Sequence, residues 1–185
     1  MNDTLKFLQQ RNSAPKLVAP APSDTELTEM MRAALRAPDH AWLRPWRFIA
    51  IEGERREAFG ELLEDALVKR DPGADDAART KARKAPLRAP LLLVAVVNIS
   101  EHPKVPAIEQ QLSAGCAAHG VLLAAEALGY AGIWRTGPPA FDRFVMDGLG
   151  LKASEAIVGF LYLGSRDGDG KKLPQLEPQD FLDRW

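Results

Sequence analysis

Hydrophobic positions along the chain follow two patterns, one with the 3.6-residue period of a helix and one of short, continuous apolar runs. The clearest helix follows the capping box Ser23-Asp24-Thr25-Glu26, in which hydroxyl and carboxylate each accept a backbone amide hydrogen. Five apolar residues then recur at i, i+3, i+4, i+7 and i+8, namely Leu27, Met30, Met31, Ala34 and Leu35. Further helices are predicted at residues 4–10, 53–70, 107–128 and 141–149.

Apolar runs of strand length cover residues 47–51, 91–97, 131–134 and 156–163. The run 91–97 has no alternation, which predicts a strand buried on both faces. Residues 13–22 contain three prolines and are predicted to be irregular. Because the helices and strands alternate without clean crossover helices, an α+β fold is favoured, with a mixed or antiparallel sheet flanked by helices.

The chain is predicted to form one domain over residues 1–185, since it has neither internal repeats nor a long linker. Within the long helix, residues 113–120 are unusually small, so the helix is expected to be central or to lie at a subunit interface. Cys116, in this stretch, is expected to be a buried, inert thiol. The polar tail, 165–185, is expected to dock on the fold or on a partner subunit through Phe181, Leu182 and Trp185.

Composition and charge exclude several classes of protein. The 185 residues include 24 Lys+Arg and 25 Asp+Glu, with 46 % hydrophobic residues, which is typical of a soluble globular domain and not of a disordered chain or coiled coil. A net charge of -1 gives no footprint for nucleic acid, and the basic run in residues 79–88 is predicted to be a solvated helix face. No signal-peptide pattern is present, and the longest apolar run is too short to span a bilayer. We expect a cytoplasmic protein with neither a nucleic-acid nor a membrane partner.

Generic catalytic motifs are missing from the sequence. No G-x-G-x-x-G follows a strand, the glycine-rich stretch 164–172 lacks P-loop spacing, and the three histidines form no metal-ligand pattern. We therefore predict no metal site and no catalytic side chain. Polar residues instead stand at the ends of predicted elements, and their guanidinium and hydroxyl groups are of the kind that bind a phosphate or a polar ring edge: Arg11, Ser13, Arg36, His40, Arg135 and Thr136. Each alone is compatible with a surface ion pair or a helix cap.

Six segments, in this order and spacing, carry a resemblance to a known family: Arg11-Asn12-Ser13, Arg36-Ala37-Pro38-Asp39-His40, Pro45-Trp46-Arg47-Phe48, Ser113-Ala114-Gly115-Cys116, Gly132-Ile133-Trp134-Arg135-Thr136-Gly137 and Val158-Gly159-Phe160-Leu161-Tyr162-Leu163-Gly164. The chain resembles the short, YdjA-like branch of the FMN-dependent NAD(P)H nitroreductases over nearly its whole length. The resemblance implies an intertwined α+β homodimer with FMN at the subunit interface and NADH or NADPH as hydride donor. It implies ping-pong reduction of nitroaromatics, quinones or a related small acceptor, with the chemistry at FMN N5. A flavin-binding carrier or sensor, and a flavin-dependent dehydrogenase or dehalogenase, remain open as alternatives.

The resemblance also implies roles for the polar residues. Arg11, Asn12 and Ser13 match the segment that holds the FMN phosphate and ribityl chain, and Arg36 and His40 match flavin contacts made across the interface. A third segment lies beside the flavin: Trp134, Arg135 and Thr136. The nicotinamide nucleotide is assigned to Ala124, Ala125, Glu126, Ala127, Leu128 and Gly129.

Two departures from the family pattern and three open alternatives concern these residues. Asn12 replaces the family's second arginine, and the candidates to compensate for that charge are Lys16, Lys171 and Lys172. Thr136 replaces a serine and keeps its hydroxyl. Trp134 could be plain core and His40 a helix cap, and residues 102–106 could form either a substrate lid or an ordinary connection.

Overall fold

A long central strand, β5 (Glu155–Arg166), organises the sheet in the computed structural model, which describes residues 2–185. In this five-stranded sheet β5 pairs antiparallel with β1 (Leu17–Val18), β3 (Leu91–Asn98) and β4 (Ala131–Arg135), and β2 (Trp46–Glu52) pairs antiparallel with β3. The α+β prediction with an antiparallel sheet is confirmed.

Strand pairing places β4 at the edge of the sheet. Leu161 of β5 pairs with Leu93 of β3 and also with Trp134 of β4, so these two strands lie on opposite sides of β5. β2 pairs with the outer edge of β3, and β1 pairs with the last two residues of β5. The short β1 corrects the prediction that residues 13–22 are irregular throughout, because the backbone between Pro15 and Pro20 is free to pair.

The described residues form six α-helices: α1 (Asp3–Gln10), α2 (Asp24–Ala34), α3 (Arg55–Arg70), α4 (Asp76–Lys84), α5 (Ala107–Ala127) and α6 (Arg143–Gly148). Short 3₁₀ segments lie between these elements and in the C-terminal tail, at His40–Trp42, Ala85–Arg88, Pro138–Phe141 and Pro178–Phe181. The predicted capping box starts α2, since the Ser23 hydroxyl accepts from the Glu26 N–H and the Glu26 carboxylate accepts from the Ser23 N–H at 2.8 Å.

The sheet lies between two hydrophobic cores. Leu92, Val94 and Val96 of β3 face one core with α3 and α6. Leu91 and Leu93 face the other core with α2 and α5. The prediction that this strand is buried on both faces is confirmed.

The small residues of α5 allow α2 to approach closely. Ala117 and Ala118 are fully buried, and a Cβ at Gly120 would lie 3.2 Å from the Ala34 Cα. Cys116 is exposed, so the prediction of a buried thiol is wrong. It lies on the outer face of α5 with Ile108 and Leu112, which are 56 % and 62 % exposed.

A second close approach joins α3 and α4. A Cβ at Gly60 would lie 2.1 Å from the Arg83 carbonyl oxygen, far inside contact distance. We expect Gly60→Ala to lower the free energy of unfolding by about 1–2 kcal/mol, since α4 must shift outward. Helix propensity alone would make the alanine variant more stable by about 1 kcal/mol. A loss of stability in Gly60→Ala is therefore due to the contact with the Arg83 carbonyl. Urea unfolding measures it, with Gly115→Ala of α5 as the matched control, because that glycine is also helical and a Cβ there meets only Trp134 Cη2 at 3.9 Å. Equal stability of the two variants contradicts the close approach.

Candidate functional site

A small basic cavity of about 270 Å³ lies where the chain leaves α1 and where β5 ends. Three cations line it, Lys16, Arg166 and Lys171, together with the carboxylates of Asp167 and Asp169. Lys172 does not line it. Arg11 ends α1 nearby, is half-buried and forms no ion pair with any residue in the described range.

Asn12, beside Arg11, is tied to three other elements. Its side-chain amide donates to the Lys171 carbonyl at 3.0 Å, and its backbone N–H donates to Glu126 Oε1 at 3.2 Å. The Arg166 guanidinium donates to the side-chain and backbone oxygens of Asn12 at 3.4 and 3.3 Å. The same guanidinium lies 3.6 Å from the Glu126 carboxylate.

The edge of β4 opposite β5 lies between this cavity and a larger one. The Ala14 N–H donates to the Gly132 carbonyl at 3.1 Å, so the segment after Ser13 runs along that edge. Arg135 lies three residues further along, about 10 Å at the rise of an antiparallel strand. There, Arg135 and Thr136 line a second cavity of about 640 Å³.

The second cavity has an apolar floor and a basic rim. Phe59, Leu63, Phe160 and Tyr162 form much of the floor. The rim carries four cations and, among the described residues, no carboxylate: Arg70, Lys81, Arg88 and Arg135. Phosphates, carboxylates and electron-rich ring edges suit such a surface.

Arg135 has an unsatisfied donor in this cavity. Its Nε is buried and has no hydrogen-bond partner among residues 2–185, while its guanidinium carbon lies 5.7 Å from the centre of the Tyr162 ring. Burial raises the pKa of the Tyr162 phenol above its ordinary value, although the charges of Arg135 and Arg88 oppose the rise. Tyr162 is therefore neutral at physiological pH and offers Arg135 no anionic partner.

Trp134 points to the opposite face of the sheet from Arg135. Its ring packs over Gly159, where a Cβ would lie 2.0 Å from the indole Nε1, and approaches Gly115 of α5. The structure therefore places the ring partly in the core beneath α5, as the alternative interpretation of Trp134 anticipated.

Arg36 and His40 lie on another part of the surface. Arg36 lines a cavity of about 530 Å³ with Trp42 and Trp46. The His40 Nδ1 lies 2.7 Å from the Glu109 carboxylate of α5. Within one chain, neither residue joins the two cavities beside β4.

The connection that follows His40 is strained. Ala41, Trp42 and Arg44 have positive φ angles of 60°, 56° and 48°, and the Trp42 side chain is 79 % exposed. Left-handed backbone at non-glycine residues costs about 1–3 kcal/mol each and persists mainly at functional sites. Two hydrogen bonds support it here, from the Ser113 hydroxyl to the Pro38 carbonyl and from the Arg44 N–H to the Asp39 carboxylate.

The segment assigned to the nicotinamide nucleotide forms the end of α5 and its cap. Ala125 is fully buried, so its side chain offers no surface to a nucleotide. Ala124 and Glu126 are partly buried, and Ala127, Leu128 and Gly129 are exposed. Gly129 has a φ of +84°, as the helix terminus requires, and Glu126 bonds to Asn12 and Arg166.

Residues 102–106 are held as a structured connection. The buried Gln110 side chain accepts from the Ser100 N–H at 3.0 Å and donates to the Ser100 and Val105 carbonyls at 2.8 and 3.2 Å. Val105 is itself buried. This favours the interpretation as an ordinary connection over a lid.

Several cavity residues were not identified from the sequence as site residues. Arg166 ends a hydrophobic strand, and Lys81 and Arg88 belong to the basic run that was predicted to be a solvated face. The absence of acidic residues from that run is the signal that could have indicated an anion site. Residues 2–185 contain no His, Cys, Asp and Glu cluster suited to a metal ion, and none of their helices is long and apolar enough to cross a membrane.

The chain is similar to known proteins over most of its length. The profile of the Nitroreductase family matches residues 8–165. An Escherichia coli K12 protein, "Putative NAD(P)H nitroreductase YdjA", is 45 % identical over 163 residues, 88 % of each chain. The crystal structure of a nitroreductase-like family protein from Bacillus cereus superposes with a TM-score of 0.84 at 20 % identity, over 100 % of this chain and 97 % of that chain. The crystal structure of a nitroreductase with bound FMN from Bacteroides fragilis superposes with a TM-score of 0.72 at 22 % sequence identity, over 96 % of each chain.

These similarities identify the fold as nitroreductase-like, as expected from the sequence. The chain belongs to the nitroreductase family, a family of oxidoreductases.

Proposed function

We propose that the protein is an FMN-dependent oxidoreductase that takes hydride from NADH or NADPH and reduces nitroaromatics, quinones or a related small acceptor in a ping-pong cycle. Family membership and the FMN bound in the Bacteroides fragilis relative support this proposal. The observation that carries it is the pair of basic cavities near the two ends of β4, one lined by Ala14, which bonds to Gly132 of this strand, and the other by Arg135.

The donors in these cavities fit FMN, which has a phosphate at one end and a polar ring edge at the other. A buried charged donor without a partner costs more than an ordinary unmade hydrogen bond, so Arg135 Nε is stabilised by an acceptor from a ligand. Arg11 lines neither cavity, but it precedes Asn12 at the end of α1, is half-buried and forms no ion pair within residues 2–185. Both donors suit an anionic, partly aromatic ligand.

Lys16 and Arg166 of the small cavity would hold the phosphate, together with Arg11 and Ser13, which immediately precede its lining residue Ala14 in the chain. Arg135, Arg88 and Lys81 would face the polar edge of the ring, with the Thr136 hydroxyl beside them. When bound, FMN supplies hydride transfer between the nicotinamide and the acceptor. The cations of this chain would stabilise negative charge at the polar edge of the ring, and the apolar floor would exclude water there.

The proposed dimer uses the outer face of α5. Ile108, Leu112 and Cys116 form an exposed, largely apolar stripe there, of the kind that marks a protein interface. His40 contacts the same helix through Glu109, so the strained connection lies beside this stripe. We propose that Arg36 and His40 reach the FMN site of a second copy and that the stripe packs in the interface.

The nucleotide assignment to the end of α5 stands as a proposal for the exposed members of the segment. The backbone at Ala127, Leu128 and Gly129 is accessible there, whereas Glu126 is engaged by Asn12 and Arg166. The exposed tail residues Phe181, Leu182 and Trp185 would dock on the second copy, as would the stripe of α5.

FMN uptake by the purified protein tests this proposal. Titration with FMN is expected to quench flavin fluorescence at one FMN per chain, and light scattering is expected to give the mass of a dimer. A protein that binds no FMN at micromolar concentration overturns the proposed function. A protein that binds FMN but has the mass of a monomer overturns only the proposal that residues of a second copy contribute to the FMN site.

A further inference from the structure

Asn12 fastens the segment after β5 to the junction between α1 and β1. Its amide donates to the Lys171 carbonyl at 3.0 Å, and a Cβ at Gly170 would lie 3.3 Å from the same amide nitrogen. A second tie joins the two segments, since the Asp167 N–H donates to the Lys16 carbonyl at 3.3 Å. The tail therefore folds back toward residues 12–16 and lines one side of the small cavity.

The charge of that cavity depends on Lys171. Lys16 and Arg166 are balanced by Asp167 and Asp169, so these four residues carry no net charge. Arg166 also shares its charge with Glu126, 3.6 Å away. Lys171 is the fifth charged residue of the lining and makes it net positive.

We propose that Asn12 is a positioning residue that holds Lys171 at this cavity, and that Lys171 supplies the charge that makes it bind a phosphate monoester. The inference rests on the proposed function, in which that phosphate belongs to FMN. Asn12 is neutral and its amide is engaged by the tail, so it acts through the lysine and does not bind the anion itself. Of the two adjacent tail lysines, the structure assigns this role to Lys171 and not to Lys172.

A double-mutant cycle with two flavins tests the inference. Dissociation constants for FMN and for riboflavin, which lacks the phosphate, are measured by fluorescence quenching for the wild type, Asn12→Ala, Lys171→Ala and the double variant. Each single variant is expected to weaken FMN binding about fivefold, the upper end for an exposed ion pair, and Lys171→Ala is expected to cost less in the Asn12→Ala background than in the wild type. Riboflavin binding is expected to stay the same throughout, and Lys172→Ala, the matched control, to bind FMN like the wild type.

Salt and proteolysis give independent readouts. The difference between wild type and Lys171→Ala is expected to shrink in 1 M salt, where the Debye length is about 3 Å. Trypsin is expected to cleave after Lys171 or Lys172 faster in Asn12→Ala than in wild type, because the tail is released.

Three outcomes overturn the inference. The first is that Lys171→Ala binds FMN as tightly as the wild type. The second is that the losses in FMN affinity of the two single variants add in the double variant. The third is that the affinity for riboflavin falls as much as the affinity for FMN. The first of these can be tested even if Asn12→Ala fails to fold, because the Lys171 side chain is exposed and its replacement leaves the fold intact. A wild-type protein that binds neither flavin overturns the proposed function as well, so the two failures are distinct.

Discussion

Replacing Glu155 by glutamine is expected to lower the free energy of unfolding at neutral pH by about 3 kcal/mol, the lower end for a broken buried ion pair. The Glu155 carboxylate is 4 % exposed and accepts from Arg47 Nε and Nη2 at 2.6 and 2.8 Å, and from the Lys152 N–H at 2.8 Å. The lower end of the range for buried ion pairs applies because the Arg47 side chain is 42 % exposed, so water can solvate its guanidinium once the carboxylate is removed.

The same pair predicts how stability depends on pH. Hydrogen bonds from Arg47, opposed by burial, lower the pKa of Glu155 from 4.5 to about 2. A carboxyl whose pKa is lower in the folded state stabilises fully above its unfolded pKa, and this stabilisation disappears as the pH falls toward the folded value. The contribution is therefore complete above about pH 4.5 and is lost between about pH 4.5 and 2.

Urea unfolding of wild type and Glu155→Gln across that window measures both effects. The difference in stability between the two proteins is expected to be largest at neutral pH and to shrink toward pH 2. Asp3→Asn is the control, because the Asp3 side chain is 99 % exposed in its pair with Lys6. A constant difference across the window contradicts the assignment of the shift to this pair.

Replacing Arg11 by alanine is expected to raise the dissociation constant of FMN about 10- to 150-fold, the equivalent of 1.5–3 kcal/mol for a hydrogen bond to a charged group. Arg11 lies at the end of α1, beside the residue that binds Arg166 and the tail, and has no competing ion pair within residues 2–185. The guanidinium is therefore available to the phosphate.

Fluorescence titration with FMN and riboflavin measures this loss. Riboflavin binding is expected to change little in Arg11→Ala, since the phosphate is the group that the guanidinium recognises. Arg32→Ala is the matched control, because Arg32 is exposed on α2 and pairs with Glu29. An unchanged FMN constant in Arg11→Ala removes Arg11 from the site.

Elements with a strong local signal could be predicted from the sequence. The capping box of α2 and the apolar run of β3 depend on residues close together in the chain, and both predictions are confirmed. The prediction that Cys116 is buried was wrong. Residues of α5 are apolar or small on most of the helix circumference, so their periodicity does not show which face contacts α2.

The candidate site was only partly predictable, since its residues meet through long-range pairing. Arg11 and Arg135 stand at the ends of elements; Arg135 has a buried donor without a partner, and Arg11 forms no ion pair within residues 2–185. Arg166 reaches Asn12 only because β1 pairs with the end of β5, more than 140 residues away in the chain. Arg88 faces Arg135 across a cavity that exists only after α3 and α4 pack on the sheet.

Anaerobic titration of the FMN-loaded protein with NADH and NADPH tests the central claim most directly. The visible flavin absorbance is expected to disappear with one equivalent of at least one of the two nucleotides. After the nucleotide is removed, a nitroaromatic or a quinone is expected to restore the absorbance without any ternary complex. An FMN-loaded protein whose absorbance neither nucleotide changes is a flavin carrier or sensor, and that result contradicts the proposed oxidoreductase.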